Sequence, residues 1–154
     1  MDDINRMLIV SRSTKNCKKA VHSGISIAKQ FNAKLYVLHV IHDPFSYEGW
    51  NLPIASLKQE YENLVKKARK EIDRLIKNEQ VDGIEITEWI RDGRPDEEVI
   101  EVVEKEKIDL IIMAAHEEGR LEHHLFGRTV KELTRKMPCS LLLVNYKPRH
   151  RTVR

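Results

Sequence analysis

The chain predicts an α/β fold: an open, five-stranded, mostly parallel sheet doubly wound with four helices. Three observations carry this. Five short apolar runs recur along the 154 residues, four of them nearly continuous. Such runs suit strands buried on both faces, as a parallel sheet requires. Helical periodicity fills each gap between runs, so the order reads β-α-β-α-β-α-β-α-β. Finally, six glycines and five prolines leave the periodic segments largely uninterrupted.

The first strand is Met7-Leu8-Ile9-Val10. A helix over 15–31 follows, with Ala20, Val21, Gly24, Ile25, Ala28 and Phe31 on one face. The second strand is Leu35–Ile41. The segment 43–56, with Phe45, Tyr47, Trp50 and two prolines, reads as a long loop whose aromatics fold onto the sheet edge. The second helix, 57–76, carries Leu57, Tyr61, Leu64, Val65, Ala68, Ile72, Leu75 and Ile76 among charged residues. The third strand, 84–90, alternates more than the others. Pro95 then opens a helix over 96–105, a favoured first-turn position. Leu110–Met113 is the fourth strand. A short helix over 129–136 ends at Pro138, and Leu141–Val144 is the fifth strand.

The length fits one domain of the usual about 100–200 residues, expected over 1–146 with a basic tail at 147–154. The start, MDDINRMLIV, has neither the basic start nor the long apolar run of a secretion signal. No stretch approaches the roughly 18 apolar residues of a membrane span. A cytoplasmic location is expected, and Cys17 and Cys139, without a CxxC pair, fit free thiols in a reducing compartment. Net charge is +3, but four of the 27 basic residues (Lys147, Arg149, Arg151, Arg154) lie in the tail; the remaining 23 face 24 acidic residues. A near-neutral body argues against a dedicated nucleic-acid reader. The tail lacks aromatics and reads as a solubilising end.

Open parallel sheets bind ligands beyond the carboxyl ends of their strands. That edge comprises Ser11–Thr14, Val40–Asp43, Arg91–Pro95 and Ala114–Arg128. The last stretch is expected to run into a helix N-terminus whose free N–H groups suit an anion.

The runs LYVLHVIHD, GRPDEEVIEVVEKEKIDLIIMAAH and LFGRTVKELTRKMPCSLLLV resemble the universal stress protein family, over about Met7 to Val144. The most specific pieces are Gly93-x-Pro95, the strand beginning at Asp109, and Pro138-Cys139. The resemblance implies a Rossmann-like sheet and a homodimer paired through the last strand, here Leu141–Val144. An unpaired apolar edge strand is itself an association hazard, which points the same way.

Nucleotide-binding members of the family carry Gly-x2-Gly-x9-Gly-Ser/Thr after the fourth strand. Those positions are Ala114, Glu117, Gly127 and Arg128 here, so one of four matches. The family's Asp-Gly after the first strand falls on Arg12 and Ser13, and Val40 matches the residue beside the adenine. Glycines let a backbone approach phosphate closely. A carboxylate at Glu117 instead opposes a triphosphate by on the order of several kcal/mol where water is poor. ATP binding is therefore expected to be weak or absent, with no other cofactor. Arg12, Ser13, Val40, Ala114, His116, Gly127, Arg128 and Thr129 form the expected, degenerate nucleotide or anion cleft. Two arginines could hold a phosphate or carboxylate; the balance favours their pairing with Glu117 or Glu118.

Other chemistry finds less support. His116, His123 and His124 share a loop with three glutamates, and His39 and His42 end the second strand, but the spacing matches no strong zinc motif. No serine sits in a nucleophile elbow. Cys17, in a first helical turn, and Cys139 read as packing. The expected function is a non-catalytic, dimeric stress-response protein acting through unidentified protein partners. The alternative is a sensor of a nucleotide or another anion. A nucleotide-hydrolysing enzyme is disfavoured by the missing glycines.

Overall fold

The computed structural model describes residues 3–11, 17–41, 54–79, 81–115 and 122–144, with backbone alone at 54 and 122–126. The strands are β1 (Arg6–Ser11), β2 (Lys34–Ile41), β3 (Ile86–Asp92), β4 (Leu110–Ala114) and β5 (Ser140–Val144). Between them run α1 (Cys17–Phe31), α2 (Ile54–Lys77), α3 (Pro95–Glu106) and α4 (Glu122–Lys136). The expected element order is the observed one. The sheet runs β3-β2-β1-β4-β5, and each described pairing is parallel.

The apolar runs divide by strand periodicity into two core layers. Met7, Ile9, Leu35, Val37, Leu110 and Ile112 pack under α1 and α2, against Ala20, Val21, Ile25, Ala28 and Ile72. Leu8, Val10, Tyr36, Leu38, Ile111 and Met113 pack under α3 and α4, against Val99, Val102, Val103 and Leu133. Gly24 lets α1 approach β1: a Cβ there would stand 2.5 Å from Ile9 Cδ1.

Local signals set the ends of α3. Gly93 turns the chain out of β3 at φ 138°, the left-handed half of φ space where a side chain is strained. Pro95 follows at the helix start, with Asp96, Glu97 and Glu98 in the first turn, where acids complement the helix dipole. Lys107 closes the helix in the left-handed conformation, its N–H bonded to the Val103 carbonyl.

Three expectations need correction. Phe31, assigned to the buried face of α1, is 50 % exposed; it is the last helical residue, and Asn32 then turns the chain at φ 52°. β3 lies two residues later than expected, because Gly83 (φ 79°) and an Ile84 N–H to Val81 carbonyl bond keep Ile84 in a turn. α4 starts seven residues earlier than expected: Leu125 and Phe126 extend the Thr129, Val130, Leu133 stripe backwards at helical spacing.

Candidate functional site at the carboxyl edge of the sheet

Strand order reverses at β1, whose neighbours β2 and β4 continue the chain in opposite directions. Ligands of open α/β sheets bind at such a switch point, beyond the carboxyl ends. Here those ends are Ser11 of β1, Val40 and Ile41 of β2, Asp92 of β3 and Ala114 of β4.

Register sets the residues in rows across the sheet. His39 pairs with Ser11 on one side and Ile90 on the other. Two residues past the Ile9–Ile112 pairing, Ala114 lies level with Ser11 and itself pairs with Val144. Ile90, Ala114 and Val144 all belong to the core under α1 and α2. Ser11 and His39 thus put two polar side chains into an otherwise apolar row. Ser11 is 2 % exposed and His39 8 %. Among the described residues, neither Ser11 Oγ nor His39 Nδ1 has a hydrogen-bond partner. Burial pushes the His39 imidazole below its usual pKa, against a weaker opposing pull from Glu71.

The β3 end is different, because its charges are matched. Arg91 meets Glu98 at 3.0 Å and Glu101 at 2.9 Å; Arg94 meets Asp96 at 2.9 Å and Glu97 at 3.2 Å. Partial burial raises the Glu98 carboxyl, and Arg91 offsets part of that. Tyr61 of α2 donates to Asp92 Oδ1 at 3.1 Å. A cleft of about 340 Å³ opens beside β3, lined by Trp89, Ile90, Arg91 and Lys105.

Among the residues the sequence nominates, Val40 is half-buried at the end of β2 and Ala114 is buried at the end of β4. Gly127, Arg128 and Thr129 fall inside α4, past its first turn, so they do not form the helix N-terminus expected there. A Cβ at Gly127 would meet nothing within 4 Å; no close backbone approach demands glycine at this position. Arg128 is exposed and Thr129 is buried. Arg12, Ser13 and His116 lie outside the described residues, as do Glu117, Glu118 and His42.

Among the described residues no three His, Cys, Asp or Glu side chains converge as metal ligands; the side chains of His123 and His124 lie outside that description. Cys17 is buried at the start of α1. Cys139 is half-buried, and desolvation pushes its thiol up to about 11, far from the range of reactive thiolates. No described helix is long and apolar enough to cross a membrane.

The Ser11–His39 pair is the feature the sequence reading passed over. His39 reads there only as one of two histidines ending the second strand, and Ser11 as the start of an edge stretch. Ser11 closes one apolar run and His39 interrupts another, which was the available signal; that they stand side by side depends on register.

Comparison with known proteins agrees with this geometry. The profile of the Universal stress protein family matches residues 4–145. The chain is 32 % identical over 131 residues to Universal stress protein MJ0531 of Methanocaldococcus jannaschii, covering 82 % of this chain and 73 % of that protein. It is 26 % identical to the stress response protein NhaX of Bacillus subtilis, covering 91 % and 97 %. In fold it is similar to the M. jannaschii protein MJ0577 (TM-score 0.72, 22 % identity, 95 % of this chain and 99 % of that one). It is also similar to a universal stress protein solved in complex with cAMP (TM-score 0.66, 16 % identity, 95 % and 100 %). The chain belongs to the universal stress protein family.

Proposed function

We propose that this chain is a non-catalytic, dimeric stress-response protein of the cytoplasm, acting through contacts with protein partners, with a degenerate ATP motif. The observation that carries the reading is β5. Among the described residues it pairs only with β4, its sequence is SLLLV, and Leu143 is 44 % exposed. An apolar strand with one free edge favours pairing with another chain, and a second copy about a two-fold axis brings a self-complementary partner. The reading of the motif is supported by Ala114 and Arg128 at positions where nucleotide binders carry glycine and a small hydroxyl, and by Gly127 within a helix. Cys17 and Cys139, neither of them in a disulfide, fit a reducing compartment. The raised thiol of Cys139 offers no activated nucleophile. We take the domain as 1–146, followed by the basic tail 147–154.

Sedimentation equilibrium tests the dimer. Burying one leucine contributes about 1.5–3 kcal/mol, and the two-fold presents it twice. Leu143→Lys should therefore weaken self-association by at least about 100-fold, while Thr87→Lys on the opposite edge strand should leave it unchanged. A wild-type chain that is monomeric at micromolar concentration overturns the reading.

The second reading, a nucleotide or anion sensor, is favoured by relatives solved with cAMP and with dAMP and by exposed Arg128, which makes no ion pair among the described residues. Calorimetry with ATP, AMP and cAMP decides between the two. No binding at micromolar concentration is expected. Micromolar binding that Arg128→Ala removes establishes the sensor instead.

A further inference from the structure

Two buried polar atoms that have no partner among the described residues stand side by side at the switch point of the sheet. A buried hydroxyl or imidazole left unpaired is costly, and native interiors rarely leave one, let alone two in adjacent positions. Ser11 and His39 are partners in the β1–β2 register, so their side chains leave the same face of the sheet, toward α1 and α2. Neighbouring strands stand about 4.8 Å apart. Ser11 Oγ and His39 Nδ1 do not bond each other across that spacing. It suits a single oxygen bonded to both. Ala114, level with Ser11, contributes only a methyl group to the row.

We propose that Ser11 and His39 together form an internal site for one neutral hydroxyl group, supplied by a bound water molecule or by a small uncharged ligand. The donor set selects that chemistry. A serine hydroxyl both donates and accepts, and an imidazole Nδ1 does one or the other according to its tautomer. A hydroxyl between them satisfies both atoms with either tautomer. An ion does not fit. The flanking residues Ile90, Ala114 and Ile9 are apolar, and an unpaired charge in such surroundings is strongly disfavoured. Glu71, the charged group that bears on His39, would repel an anion. The site lies on the α1 and α2 side, whereas Val40 packs with the core on the α3 and α4 side; it is thus distinct from the adenine position that the family resemblance implies.

Crystals grown and frozen without polyols test this directly. Data to about 1.5 Å should show one oxygen peak within about 2.7–3.2 Å of both Ser11 Oγ and His39 Nδ1. An isolated peak identifies water, and density continuing beyond the oxygen identifies a retained ligand. An empty gap overturns the proposal. Ser11→Ala gives an independent readout. If the hydroxyl group is present, the variant removes one of its two anchors. The melting temperature then falls by about 3 °C, and the His39 Nδ1 nitrogen resonance moves. If Ser11 Oγ is simply unpaired, removing it leaves the melting temperature unchanged or higher, and the resonance stays in place; either result overturns the site. Should Ser11→Ala fail to fold, the wild-type density decides alone.

Discussion

The two ends of the sheet are built on different terms. At the amino end the polar groups close on one another. Asp109 Oδ2 accepts the backbone N–H groups of Asn5 at 2.9 Å and Arg6 at 2.8 Å, and the Asp109 N–H returns to the Arg6 carbonyl at 2.8 Å. The Arg6 guanidinium caps the Glu106 carbonyl at the end of α3 at 2.8 Å. Tyr36 donates to Glu106 at 3.2 Å, and the Lys34 ammonium sits 5.2 Å from the Tyr36 ring centre while pairing with Glu85. At the carboxyl end of the two central strands, Ser11 and His39 are buried with polar atoms that have no partner among the described residues. Stability is concentrated where the strands begin, and unsatisfied capacity where they end. Parallel α/β folds place their ligands at that second end, and leaving polar groups unmatched there is the local expense of being able to bind.

Breaking the amino end should therefore have the larger effect on stability. Asp109→Ala strands two backbone donors that now bond a carboxylate. Bonds to charged groups contribute about 1.5–3 kcal/mol each, reduced here because both are open to solvent. A net loss of about 2 kcal/mol is expected in urea denaturation with an unchanged m-value. Asp109→Asn keeps one acceptor oxygen and should lose about half as much. Equal losses from the two variants would mean that Asp109 acts through its charge and not through these bonds.

The amino end was also the more legible of the two. Apolar runs and helical periodicity are local properties, and they located the nine elements and most of the core faces directly. The departures occurred where a non-local fact intervened. Phe31 matches its helix stripe by spacing, but the helix ends before the sheet can cover it. Ile84 matches a strand pattern, but the turn at Gly83 holds it out. Gly127 and Arg128 looked like residues of a phosphate loop because family spacing puts them there, whereas Leu125 and Phe126 continue the helical stripe upstream of them. The Ser11–His39 pair was invisible for a related reason. The residues are 28 positions apart, and only parallel register makes them neighbours.

Acidification probes the carboxyl end. The His39 imidazole has a folded pKa below its ordinary 6.5 because burial disfavours its charged form. The unfolded chain therefore binds a proton that the folded chain refuses, and stability falls as pH drops below about 6.5. One proton difference amounts to about 1.4 kcal/mol per pH unit, so a loss of at most about 1 kcal/mol between pH 6.5 and 5.5 is expected. His39→Leu should flatten that part of the profile. Glu88 and Glu98, whose carboxyls burial raises above their usual range, act in the opposite sense. Their protonation favours the folded chain, a contribution fully present at low pH and lost as pH rises through their folded pKa values. A His39→Leu profile as steep as that of the wild type would transfer the acid sensitivity elsewhere and remove the contrast between the two ends.

The smallest effects come from two tyrosines, one at each end. Tyr36 is 3 % exposed, its ring tilted against Trp89 at 5.4 Å between centres, and its hydroxyl reaches Glu106 across a partly buried gap. Tyr61, half-buried on α2, reaches Asp92 through a bond open to solvent. A partly buried bond to a carboxylate outweighs a solvated one, because water replaces the second when it is lost. Tyr36→Phe should cost about 1 kcal/mol. Tyr61→Phe should stay within about 0.5 kcal/mol, the range of most surface substitutions. The Tyr61 variant should still be visible in an alkaline absorbance titration. The Asp92 hydrogen bond raises the Tyr61 phenol above its ordinary 10.0, so Tyr61→Phe removes one phenol that titrates above that value. Equal costs for the two substitutions would show that the amino end is no more tightly matched than the carboxyl end, and the asymmetry of the sheet would then rest on Ser11 and His39 alone.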